Sequence, residues 1–387
     1  MTGFPFGVSM YYMSVEDVST SKATLVYRWL RAEFEEGRIA SGERLPSENE
    51  LCRRFDASRP SVRLATARLA HEGLVRTERG KGTFRVEPNR SSSRDVAIVL
   101  PHLTSYIYPE IVSAASRILC DRAYQTLFDC SEGDAEAELT ILERLKERRP
   151  AALAISPVQR IPAREARKAE RAEAERRLAL LRDMRDAGTA VVLLDNTLGD
   201  ESFSSIAIDD YGAGRRAAEH LLSRGFGSPA IVWWAGHAPF HERRRGFAAA
   251  LAERKDGPTA LRELRLGDEA GAARAAALTA FLGRLAESPA AVFCANDELA
   301  LDLRAVALAE GLRVPEDLSL IGFDDSPLAR LGEVSLASFA YPSRYIGERA
   351  ASMLIEMIEG KASFARTSVS IEPVLVERGS VRARSTP

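Results

Sequence analysis

Residues 42–86 read GERLPSENELCRRFDASRPSVRLATARLAHEGLVRTERGKGTFRV. Pro46 precedes Ser47-Glu48-Asn49-Glu50, the spacing of a capping box. In such a box the serine hydroxyl and the glutamate carboxylate satisfy backbone N–H groups at a helix start. A second start follows at Ser58-Arg59-Pro60, where the missing N–H of proline costs nothing. Val62, Ala65 and Leu69 keep helical spacing on one face, and Gly73 closes that helix. Two β-prone runs, Leu74–Thr77 and Thr83–Val86, flank Glu78-Arg79-Gly80-Lys81-Gly82, which predicts a hairpin with a basic, glycine-bearing tip. Helix, turn, helix and basic hairpin make a winged helix-turn-helix. The second helix of such a unit can enter a DNA major groove, with the wing on the adjacent backbone or minor groove.

Upstream, Leu25, Val26, Trp29, Leu30 and Phe34 recur at three- and four-residue spacing, which predicts a first helix over 22–37 with one apolar stripe. Residues 22–87 together resemble the DNA-binding domain of the GntR family of bacterial transcription regulators. The resemblance rests on Leu45-Pro46-Ser47-Glu48, Glu50-Leu51, Ser58-Arg59 with Ser61-Val62-Arg63, and Gly80 with Gly82-Thr83-Phe84. Residues 1–21 read as a flexible arm, or as an over-long start with Met10 or Met13 as the first residue. Residues 88–94 are polar, contain Pro88 and three serines, and read as a linker.

From residue 95 the pattern changes. Short apolar runs at 96–100, 125–128, 151–155, 190–194, 205–208, 230–234, 290–294 and 318–322 alternate with helical stretches. Continuous apolar strands between helices imply parallel sheet covered on both faces. There are too many for one small sheet, so two doubly wound lobes are expected, with ligand at the carboxyl ends of the strands. The stretch 159–188 stands apart, dense in Arg, Glu and Ala. It fits a solvated helix held by charge pairs, or a contact surface for a partner subunit.

Residues 95–378 resemble the LacI-type regulatory core, a type I, two-lobed periplasmic-binding-protein-like α/β fold. The stretches that carry this are Tyr106–Ile111, Asp209–Leu221, Arg243 with Gly246-Phe247, Ala295–Leu301, and Gly311–Asp325. A GntR head on such a body is the layout of the arabinose-repressor type. The resemblance implies a body over 95–380. Its first lobe would hold 95–209 and about 340–362, and its second 210–337 and about 364–380, with three crossings between them.

With 387 residues and 45% hydrophobic content, two or three folded domains are expected. Net charge is −2, but residues 22–94 carry sixteen Lys/Arg and ten Asp/Glu, so this segment is +6 and the remainder −8. A basic head on an acidic body suits a polyanion partner for the head alone. Four cysteines form no CxxC pair and no histidine stands at zinc-ligand spacing, so neither metal nor cofactor is expected. The N-terminal region lacks a basic start and a long apolar run, so a reduced, cytoplasmic protein without membrane contact is expected. No Ser/His/Asp order or paired catalytic carboxylates stands out. Gly80-Lys81-Gly82-Thr83 lacks the leading glycine and spacer of a phosphate loop, so no enzymatic activity is expected.

On the DNA side, Arg59 and Arg63 begin the recognition helix, where arginine can donate two bonds to a guanine edge. Arg63 equally suits a salt bridge to a neighbouring helix. Ser58, Ser61 and the helix start, with Pro60 in its first turn, suit phosphate oxygens through the hydroxyls and backbone N–H groups, and Arg79, Gly80 and Lys81 at the wing tip suit the backbone or minor groove. Glu48 and Asn49 complete the candidate face. The resemblance implies base contact by Arg59. It also marks departures: Asn49 stands where the family often has Arg, and an apolar residue common at 66 stands at 64 as Leu64, which alters the packing expected of the helix. On the ligand side, Asp195, Asn296 and Asp324 stand at strand ends and Arg243 opens a helix; each aspartate is also readable as a helix or strand-end cap, and Tyr108 as core. The resemblance implies effector contacts by Arg243, Asn296 and Asp324 and stacking by Tyr108, beside Tyr106. Tyr341-Pro342 replaces a common Gln-Pro. Trp233 and Trp234 fit a sugar shelf or the core. The whole implies a dimeric repressor released from a palindromic operator by a small sugar. A regulator that requires its ligand, or answers to a nucleoside or purine, is the alternative. A transporter sugar-binding protein would lack the head.

Overall fold

The computed structural model describes residues 8–10, 21–71, 74–78, 81–85, 93–103, 107–159, 167–195, 198–200, 202–254, 261–267, 269–285, 290–331, 335–360 and 367–382. The head holds helices α1 (Lys22–Glu35), α2 (Glu48–Phe55) and α3 (Arg59–His71), then strands β2 (Val75–Glu78) and β3 (Gly82–Arg85). The capping box forms as its spacing predicts. The Ser47 Oγ accepts from Glu50 N at 3.3 Å, and Glu50 Oε2 accepts from Ser47 N at 2.7 Å. Asp56 ends α2 in the left-handed region (φ 48°) and lets the chain turn into α3. Val26, Leu30, Phe34, Leu51, Val62, Ala65 and Leu69 form the shared core of the three helices. The stripe of α1 is narrower than its sequence suggests, because Leu25 is exposed and Trp29 lies against Phe55 at the edge. The wing pairs antiparallel from Val75↔Arg85 to Glu78↔Gly82.

The body holds two mainly parallel sheets. The first has the order β1 (Val8–Met10), β14 (Ser368–Ile371), β8 (Ser204–Ile208), β7 (Ala190–Leu194), β6 (Ala152–Ile155), β4 (Asp95–Leu100), β5 (Gln125–Cys130), and the second β10 (Glu263–Leu266), β9 (Ala230–Trp234), β11 (Ala290–Cys294), β12 (Leu318–Asp324), β13 (Ala337–Ala340), β15 (Val374–Val376). In the first, β4 (Asp95–Leu100), β5 (Gln125–Cys130), β6 (Ala152–Ile155), β7 (Ala190–Leu194) and β8 (Ser204–Ile208) alternate with α4 (Ile107–Cys120), α5 (Ala135–Arg148) and α6 (Arg167–Asp186). The second is built from β9 (Ala230–Trp234), β10 (Glu263–Leu266), β11 (Ala290–Cys294) and β12 (Leu318–Asp324), with α7 (Asp210–Ser223), α8 (Ala238–Ala252), α9 (Gly271–Leu282) and α10 (Asp297–Ala309). Continuous burial along β4, β6, β7, β9, β11 and β12 is what sheet covered on both faces requires.

The chain then returns. Strand β13 (Ala337–Ala340) pairs with β12, while α11 (Ser343–Ile358) packs on α4 of the first sheet. Strand β14 (Ser368–Ile371) pairs with β8, so it belongs to the first sheet and not to the second lobe as expected from sequence. Strand β15 (Val374–Val376) closes the edge of the second sheet against β13. In the expected N-terminal arm, the described residues Val8–Met10 form β1 and pair antiparallel with β14; the rest of the arm, and residues 88–92 of the expected linker, lie outside the described residues. Among the described residues no helix is long and apolar enough to cross a membrane.

Helix α6 lies within the charged stretch. Arg171 pairs with Glu175 one turn on at 3.1 Å, and Arg176 reaches Glu143 of α5 at 2.6 Å. Deeper, the Arg177 Nε donates to Glu138 Oε1, with the residues 5% and 0% exposed, and Glu138 Oε2 accepts from Val158 N at 2.6 Å. A buried charge persists only where paired and hydrogen-bonded, and this pair fastens α6 to α5 and to the loop after β6.

Helices α7 and α8 cross with backbone against backbone. A Cβ placed on Gly214 would overlap the Arg243 carbonyl oxygen, and one on Gly246 would overlap that of Tyr211. Gly246→Ala is therefore expected to cost about 1–3 kcal/mol by overpacking. Thermal denaturation reads this directly, and an unchanged midpoint would contradict the close crossing.

Candidate functional site

On the head, α3 turns one face outward. Arg59, Pro60 and Arg63 are exposed, while Val62, Ala65 and Leu69 are buried beneath them. Ser58 Oγ accepts from Ser61 N at 3.3 Å, which caps the helix start. The Arg59 Nη2 donates to Asn49 Oδ1 at 3.2 Å, and the Arg63 Nε donates to Glu48 Oε1 at 3.1 Å. Arg63 thus takes the salt-bridge geometry that its sequence position also allowed. Both contacts join α2 to α3 on the open surface. Exposed pairs of this kind are worth little, so the two guanidinium groups remain available to a stronger acceptor. On the wing, Lys81 lies 3.2 Å from Glu78. Arg79 and Gly80 lie outside the described residues.

In the body, a cavity of about 620 Å³ opens between the two sheets and is lined from both. Tyr108, Asp195, Arg243, Asn296, Asp324 and Tyr341 all line it. Tyr106 lies outside the described residues. The acidic and amide groups reach the cavity because strands of a doubly wound sheet point their carboxyl ends into the crevice. Asp195 follows β7 and Asp324 ends β12, with φ values of 61° and 108°. Non-glycine residues in the left-handed region are strained, and such strain concentrates at binding sites.

Arg243 is 4% exposed and engaged within the protein. Its Nε donates to Asp210 Oδ1 at 2.8 Å and its Nη1 to the Ala295 carbonyl at 2.5 Å. Its guanidinium carbon lies 3.3 Å from the centre of the Phe323 ring, a close cation–π contact. Asn296 caps α10, its Oδ1 accepting from Leu299 N at 3.0 Å, so the amide N–H₂ is the part left to meet a ligand. The Tyr341 hydroxyl donates to Asp195 Oδ1, and the Ser156 hydroxyl donates to Asp195 Oδ2 at 2.8 Å. Burial holds Asp324 well above the ordinary carboxylate range; Arg243 opposes this, and Asp297, Asp210 and Asp195 reinforce it.

Two residues not singled out as site residues in the sequence add to the lining. Asp210 and Ser156 follow β8 and β6 at the same strand ends, so the topological rule that selects Asp195 also selects them. Trp234 lines the cavity beside Phe240, their rings 5.7 Å apart, whereas Trp233 is core and donates from Nε1 to Glu263 at 2.9 Å. Asp297 is structural as well as cavity-lining: it accepts from Ser326 N at 2.7 Å and from the Ser338 hydroxyl at 2.6 Å. Among the described residues no cluster of His, Cys, Asp and Glu could hold a metal ion.

Burial raises Asp210 from 3.8 to about 6, against the pull of Arg243. A carboxyl raised on folding binds its proton more tightly in the folded chain. Its contribution to stability is therefore full below about pH 4 and lost as pH rises through 6. Asp210→Asn removes this titration. Denaturant midpoints measured between pH 4 and 6.5 are expected to fall less steeply in the variant than in the wild type. Equal slopes would contradict the assignment.

Residues 22–84 match the bacterial regulatory proteins of the gntR family, and residues 218–381 match the periplasmic binding protein-like domain. The chain is similar to the arabinose metabolism transcriptional repressor of Geobacillus stearothermophilus, 28% identical over 352 residues, 89% of this chain and 93% of the relative. It is similar in structure to the transcription regulator GntR from Chromobacterium violaceum, with a TM-score of 0.60 and 25% identity, covering 74% of this chain and 98% of that one. It shares its fold with a LacI family transcriptional regulator from Enterococcus faecium solved with bound ribose, with a TM-score of 0.61 and 21% identity over 75% of this chain and all of that one. The chain thus joins a DNA-binding head of the bacterial gntR family to a periplasmic-binding-protein-like body.

Proposed function

We propose that the chain is a transcriptional repressor that a small sugar, bound between the two sheets, releases from its operator. The observation that carries this is the pairing of an outward recognition helix, with Arg59 in its first turn, and a polar cavity lined from both sheets on one chain. Similarity to an arabinose metabolism transcriptional repressor and to a LacI family regulator with bound ribose supports repression and a sugar. The cavity chemistry supports the same class. The carboxyl groups of Asp195 and Asp324 suit pairs of sugar hydroxyls, and Tyr108 and Trp234 offer apolar faces to a ring. With Arg243 bound to Asp210 and surrounded by acids, an uncharged ligand fits better than a phosphorylated one. We read the cavity as sensing and not catalytic, in a cytoplasmic protein. Two copies related by a two-fold axis would present two heads to a palindromic site.

Two variants separate the functions. Arg59→Ala is expected to lose about 1–3 kcal/mol of specific operator affinity while leaving ligand binding intact. Asp324→Ala is expected to keep operator binding and lose the response to ligand. Gel-shift titration with and without sugar reads both; operator affinity unchanged in Arg59→Ala, or a normal response in Asp324→Ala, would sink the respective assignment. A thermal-shift series of pentoses, hexoses and their phosphates tests the ligand class: stabilisation is expected from a free sugar, and stabilisation by the phosphate alone would overturn it.

A further inference from the structure

Helix α3 carries a feature that contact with DNA through arginine leaves unused. Leu64 is 65% exposed, more than any other large hydrophobic side chain among the described residues. It does not stand alone. Pro60 lies four residues before it and Ala67 three after, both exposed, so the three share one helix face. That face is opposite the buried Val62, Ala65 and Leu69. Basic residues border the strip on both sides. Arg59 and Arg63 are tied to Asn49 and Glu48 along one edge, and Arg68 lies over the Tyr27 ring at 4.0 Å along the other. Thr66 lies on another side of α3 and donates its hydroxyl back to the Val62 and Arg63 carbonyls, each at 3.1 Å. The centre of the recognition helix is therefore apolar and its borders are basic.

A duplex has the complementary layout. Phosphates run along both rims of the major groove, and the floor presents donors and acceptors at every base pair but an apolar group only at thymine, the C5-methyl. We propose that Leu64 is a specificity-determining residue that packs on a thymine C5-methyl in the operator, with Pro60 and Ala67 completing the apolar strip. This rests on the DNA-binding reading of the head. It turns the displacement of an apolar residue from 66 to 64 into a change in what the helix reads, since Leu64 takes no part in the head's core.

The test uses the full chain. Duplexes are selected from a random pool, and each thymine of the selected site is replaced singly by deoxyuridine, which removes only the methyl group. Fluorescence anisotropy then gives affinities for the wild type, Leu64→Ala and Leu64→Met. At one thymine or more, deoxyuridine is expected to weaken wild-type binding about three- to tenfold. At the same thymine, Leu64→Ala is expected to respond by less than about twofold, and Leu64→Met to keep most of the wild-type response. Thermal midpoints of the variants should match the wild type, because the side chain is exposed. A wild type insensitive to deoxyuridine at every thymine, or Leu64→Ala with undiminished sensitivity, overturns the proposal. So does a change in oligomeric state in Leu64→Ala, which would make the strip a protein contact. Failure to enrich any sequence would instead overturn the DNA-binding reading, and the proposal with it.

Discussion

A single guanidinium organises the second sheet around the cavity. Arg243 is buried, and a buried charge must be neutralised and hydrogen-bonded or it unfolds its surroundings. Its partners come from three elements: Asp210 at the start of α7, the Ala295 carbonyl after β11, and the Phe323 ring on β12. The same helix, α8, can carry Arg243 to that point only because Gly246 and Gly214 let α7 and α8 touch through their backbones. The cavity wall therefore depends on two glycines and one salt bridge. Asp324, at the end of β12, is left facing acids as well as Arg243.

Polar links join the two sheets across this cavity. The Tyr341 hydroxyl, following β13 of the second sheet, donates to Asp195, which follows β7 of the first. The Ala238 N–H donates to the Gln159 carbonyl at 3.2 Å, joining α8 to the loop after β6. That loop is itself anchored by Glu138, through Val158 N, to the buried Arg177 of α6. The charged stretch of the sequence thus has a structural use: it fixes one lip of the cavity to the outer layer of the first sheet. The outer pairs, such as Arg171 with Glu175, are the solvated part and contribute little by comparison. Helix α11 and strand β14 carry the returning chain back to the first sheet.

Much of the head was legible because its signals are local. A serine and a glutamate three residues apart make a capping box in any context, and both bonds are present. The β-α alternation was legible because strands buried on both faces are uniformly apolar. Strands β13, β14 and β15 were not, since each is three or four residues long and is defined only by its distant partners. For the same reason β14 was assigned to the wrong sheet. At the sites, residue type located Asp195, Arg243, Asn296, Asp324 and Tyr341 in the cavity lining, but not their bonds. Whether Arg63 points to a groove or to Glu48, and whether Asn296 caps a helix, depends on angles that spacing does not encode. Leu64 was visible as a departure, but only the exposed face of α3 gives it a meaning.

A head and a cavity that belong to one switch must obey linkage, which makes their coupling measurable. A sugar that weakens operator binding by some factor must itself bind more weakly, by the same factor, to the operator-bound chain. Calorimetric titration of a stabilising sugar into the free chain and into the chain saturated with its selected operator measures one factor. Anisotropy titration of the operator with and without that sugar measures the other. Two factors above unity and equal within error are predicted. A sugar affinity that is the same with and without operator would contradict the account.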